Sequence, residues 1–166
     1  MRNDHVRASK DLDGELEMPR NRPIEFGILD EFVGFQLHKV RNFLASELYR
    51  MIAPDALPGD FPILYLIARN PGRTQTAISR AVGLDRSSLV PILNRLEREG
   101  WVNRSVSAED KRAHSLVLTE SGLTKLDELQ AAVTSLEDRM SARIGGDGQM
   151  EMLKLLRLIQ SVAEGG

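Results

Sequence analysis

The sequence predicts a mainly α-helical chain with one small β-hairpin set among its helices, and three observations carry that expectation. Over most of its 166 residues, apolar side chains recur at spacings of three and four, the signature of helices with one buried face. Two short helical stretches meet at a tight turn, Gly83-Leu84-Asp85. Two alternating strands follow directly, with a polar loop between them.

Residues 1–23 read as a flexible N-terminal tail, with alternating charges, Pro19, Pro23 and few large apolar side chains. From Leu29 the pattern changes. Leu29, Phe32, Val33, Leu37, Val40, Leu44, Leu48 and Met51 mark one face of a long first helix, which Pro54 and Leu57-Pro58-Gly59-Asp60 end. Phe61 to Ala68 forms a second, short helix closed by Asn70-Pro71-Gly72. Thr74 caps a third helix, Gln75 to Val82, and Gly83 stops it because glycine tolerates the left-handed backbone there. Asp85 caps a fourth, Arg86 to Arg98, closed by Gly100. Trp101 to Val106 and Ser115 to Leu118 are the strands, with Ser107 to Ala113 as the loop. Thr119-Glu120-Ser121-Gly122 opens a fifth helix, whose Leu126, Leu129, Val133, Leu136 and Met140 form a coiled-coil-like seam. Gly145-Gly146-Asp147-Gly148 interrupts it, and a last helix carries Met152, Leu155, Leu156 and Ile159.

Composition narrows the function. Hydrophobic residues make up 42% of the chain, enough to bury a core, and the absence of cysteine excludes disulfides, thiol nucleophiles and thiolate metal sites. The longest nearly pure apolar run, Phe61 to Ala68, is far short of the roughly 20 residues a membrane span needs. With no apolar signal segment behind Met1, the expectation is a cytoplasmic protein with no membrane partner. No nucleophile-and-base arrangement, glycine-rich phosphate loop or metal-spaced cluster occurs, and His5, His38 and His114 are far apart, so no enzyme, cofactor or metal is expected. The net charge of -2 conceals a pattern: residues 1–23 sum to 0, 24–60 to -3, 61–115 to +4 and 116–166 to -3. A basic middle between acidic flanks can bind a polyanion locally.

That basic segment contains the paired helices. Ala77, Ile78, Val82, Leu84, Leu89, Leu93 and Leu96 are spaced to pack them together as a helix-turn-helix, and the hairpin that follows completes a winged helix. Four stretches in this order, Leu84-Asp85-Arg86-Ser87-Ser88, Leu93 to Val102, Glu109-Asp110-Lys111-Arg112 and Leu118-Thr119-Glu120-Ser121-Gly122, resemble the MarR family of dimeric winged-helix transcription regulators. The resemblance covers about residues 29–163. It implies that Ser87 and Ser88 on the recognition helix reach phosphates and base edges, and that Thr74, Gln75 and Thr76 bond the phosphate backbone. It also implies that Asp110 holds the wing loop beside Lys111 while Arg112 enters the minor groove. The chain departs from the family where a threonine and a basic residue are common, for it has Val90-Pro91 there. Pro91 has no N–H for the carbonyl of Ser87, which predicts a bend or a loosened first turn. Base readout is then expected from Val90 and Pro91 on thymine methyls, with polar contacts from Arg86, Ser88 and Asn94 or Arg95.

A second stripe lies away from the main apolar face of the first helix. Gly34 and Ala45 leave room, Arg41 can meet a carboxylate or phosphate, and His38 can bond an acyl or phenol oxygen. With Phe61 and Tyr65 as apolar walls, these residues are candidates for a ligand pocket, set against the plainer reading of a solvated face. The resemblance implies a small organic anion, an aromatic acid or its coenzyme A thioester. The domain organisation expected is a helical dimerisation region from 24–58 and 120–166 around a winged helix-turn-helix at 59–119, with the Leu126 to Met140 seam as subunit interface. The function expected is a homodimeric repressor on a pseudo-palindromic double-stranded DNA operator, released by the anion. The alternative is a winged-helix protein-interaction module without sequence-specific DNA binding.

Overall fold

A short 3-10 turn, Gly27–Glu31, leads through extended Phe32 into helix α1, Val33–Ile52. Then follow α2 (Asp60–Arg69), α3 (Gln75–Val82), α4 (Arg86–Arg98), strands β1 (Val102–Val106) and β2 (His114–Leu118), and α5 (Glu120–Glu164). The structure, a computed structural model, describes residues 23–52, 54–106 and 114–164. It divides into a unit ending at Gln36 and a second beginning at Leu37. In the first, the rings of Phe26 and Phe35 meet at 5.8 Å and the Gln36 amide donates to the Asp30 carbonyl at 2.8 Å. No helix among the described residues is long and apolar enough to cross a membrane.

Helices α3 and α4 have the bounds their caps predict. Thr74 Oγ1 accepts from the Ala77 N–H at 3.3 Å, Asp85 Oδ1 accepts from the Ser88 N–H at 2.8 Å, and Gly83 takes the left-handed backbone at φ 70°. One expectation is corrected. Leu29 lies in the 3-10 turn rather than in the long helix, because extended Phe32 (ψ 117°) breaks the ladder while the apolar spacing runs on. The interruption expected between the fifth and last helices is present as a kink within α5 at Gly145, whose φ 74° and ψ 157° are open to glycine and almost nothing else. Pro91, where a bend or a loosened first turn is expected, lies inside helix α4.

The core of the second unit draws on Ile63, Leu64 and Ile67 of α2, Ile78 of α3, Leu89, Leu93 and Leu96 of α4, then Trp101, Val102 and Leu116. Leu126 and Leu129 of α5 complete it. Part of the α5 seam expected as a subunit interface is thus core of the single chain: Leu126 and Leu129 pack where α5 lies against α2, Leu136 is buried farther along the helix, and Val133 and Met140 stay half-exposed. Burial of each such side chain stabilises by about 1.5–3 kcal/mol.

The hairpin is antiparallel, with Val102 opposite Leu118 and Arg104 opposite Leu116. Its outer strand β2 is also paired on the other side: Gly72 N–H donates to the Leu116 carbonyl at 2.9 Å and Leu116 N–H to the Arg73 carbonyl at 3.0 Å. The residues just before α3 are thereby tied to the wing. At the other end of the hairpin, Thr119 N–H donates to the Trp101 carbonyl at 3.1 Å, and the Thr119 and Ser121 hydroxyls both donate to the Gly100 carbonyl. Gly122 packs so closely there that a Cβ would stand 2.0 Å from the Trp101 carbonyl oxygen.

Candidate functional site

Helix α4 buries Leu89, Leu93 and Leu96 and turns the opposite stripe outward. Ser87, Pro91, Asn94 and Arg98 recur at intervals of three and four on that exposed stripe, with Arg86 and Ser88 beside its first turn. Val90 is half-buried. Of the α3 residues, Thr76 is exposed while Thr74 and Gln75 are partly covered, and the Thr74 hydroxyl oxygen is engaged as the helix cap. Thr76 near the start of α3 and Arg86, Ser87, Ser88, Pro91 and Asn94 of α4 are thus the expected DNA residues that are exposed, and the starts of the two helices carry N–H groups that favour anions. Asp110, Lys111 and Arg112 lie outside the described residues.

The structure does not bring Arg95 to the exposed stripe of α4. Its guanidinium turns inward and pairs with Asp60, whose side chain is 1% exposed. Asp60 Oδ2 also accepts from the Leu57 N–H at 2.7 Å, so the carboxylate joins the start of α2 to the last turn of α4. The serines are engaged as well. Ser87 and Ser88 both direct their hydroxyls to Asp85, Ser88 at 2.8 Å. The Ser87 hydroxyl, the Ser88 hydroxyl and the Ser88 N–H together hold the Asp85 carboxyl at about 2, below its ordinary 3.8.

The sequence reading missed Arg104. It stands on β1 on the same side as Val102, the side that meets α4. Its Nη2 donates to Asn94 Oδ1 at 2.7 Å, and its Nε lies 3.5 Å from Glu97 Oε2. The signal was present: in the alternation of Trp101 to Val106, Arg104 occupies an apolar-side position.

A separate cleft of about 240 Å³ opens between α1 and α5, lined by Arg41, Leu44, Ala45, Leu48, Pro58, Val133, Leu136 and Glu137. Arg41 and Ala45 belong to the stripe expected from sequence; the other expected residues are not part of this lining. His38 bonds Asn42 at 2.9 Å along its own helix. Phe61 and Tyr65 pack on each other, 5.7 Å between ring centroids, and Phe61 also packs against the core. Gly34 belongs to the unit ending at Gln36. The walls are instead supplied by α5, which sequence spacing could not place opposite α1. Next to the cleft, Arg139 of α5 pairs with Glu47 of α1 at 3.2 Å.

A profile of the MarR family matches residues 57–113. A transcriptional regulatory protein named for the hcr operon of Thauera aromatica is 35% identical over 127 residues, 75% of this chain and 76% of that one. The transcriptional repressor CouR, solved on a 23-mer DNA duplex, is 32% identical with a TM-score of 0.76, over 84% of this chain and 99% of that one. CouR has also been solved with p-coumaroyl-CoA, at 30% identity and a TM-score of 0.75 over 83% of this chain and 98% of that one. The Streptomyces coelicolor regulator PcaV, with its natural ligand, shares the fold at 22% identity and a TM-score of 0.76, over 86% of this chain and 99% of that one.

Proposed function

Because the chain belongs to the MarR family of DNA-binding transcriptional regulators, and is not an enzyme, we propose that it works as a homodimeric repressor released from its operator by a small organic anion. The observation that carries the effector half of this reading is the α1–α5 cleft, whose wall is apolar except for Arg41 of α1 and Glu137 of α5. Such a cavity suits an aromatic or other apolar body whose carboxylate, phosphate or thioester is met by Arg41 and kept from Glu137. The likeness to CouR, which binds p-coumaroyl-CoA, supports an aryl acid or its coenzyme A thioester as the class. About 240 Å³ accommodates a single-ring acyl group, and a coenzyme A moiety would extend outside the cleft.

The homodimer is supported by apolar surface that the single chain leaves uncovered. Leu37, Val40 and Phe43 of α1, with Leu155, Leu158, Ile159 and Val162 of α5, are all exposed. Exposed apolar side chains in this number on two helices mark an interaction surface, and a second copy of the chain is the partner that the family resemblance supports. In a two-fold dimer the two α4 helices enter successive major grooves when they stand about 34 Å apart. The cleft lies between α1 and α5, so a ligand wedged there favours one separation of the DNA-reading elements over another and changes affinity by its difference in binding to the two.

The test is a mobility shift on the DNA upstream of the chain's own gene, repeated with a panel of aromatic acids and their coenzyme A thioesters. Retardation that one class reverses at micromolar concentration is the expected result. Retardation that no member reverses would remove the effector, and no retardation at all would remove that operator.

A further inference from the structure

Asn94 is exposed on the outward stripe of α4, which the proposed function turns to DNA, yet its side chain is not free to choose its orientation. Arg104, reaching from β1, donates through Nη2 to Asn94 Oδ1 at 2.7 Å. The Arg104 side chain is only 17% exposed, and its Nε is buried 3.5 Å from Glu97 Oε2. A guanidinium only donates. Whatever the rotamer of Asn94, the group it turns to Arg104 must be its carbonyl oxygen, and the group left facing outward is its NH2.

That polarity bears on base readout. An asparagine reads adenine by accepting from N6 and donating to N7 at the same time. Arg104 engages one of the two lone pairs of Oδ1 and turns that oxygen toward β1, so outward Asn94 presents its donating half. Guanine presents two acceptors in the major groove, O6 and N7, and cytosine presents a donor. We infer that Arg104 is a specificity-positioning residue: by holding Asn94 Oδ1, it makes Asn94 a donor-only reader that selects guanine in each half-site and withdraws the usual preference of asparagine for adenine. The inference rests on DNA binding and is independent of the effector.

The experiment is selection from a randomised duplex library with the purified full chain. Asn94→Ala identifies the position that Asn94 reads, as the one where base preference is lost. In the parent that position enriches guanine over adenine by about tenfold or more, the scale of one good base contact. Arg104→Met frees Oδ1 and shifts the position to adenine. Arg104→Lys, again a pure donor, keeps guanine. Asn94→Asp retains the partner of Arg104 but replaces the outward donor by an acceptor, and shifts the position to cytosine; it carries the test if Arg104→Met fails to fold. Adenine at that position in both the parent and Arg104→Met would overturn the assignment of Arg104 alone. No position altered by Asn94→Ala would overturn it by removing the base contact, and a parent that enriches no sequence would remove the DNA reading beneath it.

Discussion

Arg95 stands one residue from Asn94 in sequence and serves a different purpose, because 100° around the helix turns it from solvent to Asp60. Asp60 is buried and ionisable, and removing its partner leaves an uncompensated charge. Arg95→Met is therefore expected to cost about 3 kcal/mol of stability, read by urea unfolding, while leaving base preference in a library selection unchanged. A change of preference without loss of stability would return Arg95 to the DNA surface. Asp85 makes a prediction in pH. Its folded value of about 2 lies below the ordinary 3.8, so the ionised form favours the folded state. That contribution is complete well above 3.8 and is lost as pH falls through about 2. Thermal midpoints of the parent and Asp85→Asn should differ at pH 6 and converge toward pH 2; a constant gap would show that the cap does not need the charge. The same bonds bear on Ser87 and Ser88. Their hydroxyl protons point to Asp85, so outward they offer lone pairs, which match a base amino group better than a phosphate.

Among the elements, α3 and α4 were legible in the sequence to the residue, because each is bounded by its own caps: Thr74, Gly83 and Asp85 act on backbone groups within three residues of themselves. The start of α1 was not, since Phe32 keeps the apolar rhythm while its backbone is extended. The junction from hairpin to α5 was recognisable as Thr119-Glu120-Ser121-Gly122, but its reason is tertiary. Gly122 leaves room for the Trp101 carbonyl, on which Thr119 also bonds. Gly122→Ala places a methyl against backbone, where neither side can yield without shifting α5. A loss of about 2–3 kcal/mol is expected by denaturant titration. A loss below about 0.5 kcal/mol, ordinary for a tolerant surface site, would show that α5 moves freely against the wing.

For the whole molecule, the exposed apolar faces of α1 and the second half of α5 make assembly testable apart from folding. Val40→Asp with Leu158→Asp should give a folded monomer by light scattering at micromolar concentration, because both side chains are exposed in the single chain. Leu136→Asp should instead unfold the protein, as Leu136 is buried within it. A dimer that survives the double substitution would place the interface elsewhere. For the effector, Arg41→Ala should leave operator affinity within about threefold and abolish release, since Arg41 lies on α1, away from the α4 surface. Unchanged release by the same ligand at the same concentration would place the pocket outside this cleft.

By itself the sequence determined the order and type of the elements, the helix-turn-helix and its caps, and the family motifs, all of which depend on neighbours a few residues away. It also placed Arg41 and Ala45 on one stripe of α1, since helical spacing is local. Only the tertiary structure decided which polar groups of α4 remain free. Asp60 takes Arg95 from a distance of 35 residues, and Arg104 orients Asn94 from 10. It likewise decided that Leu126 and Leu129 of the α5 seam are core and that α5, not α2, supplies the second wall of the cleft. An apolar stripe states that a face will be buried but carries no mark of its partner, and a hydrogen-bonding group does not reveal in sequence which of its sites is already engaged.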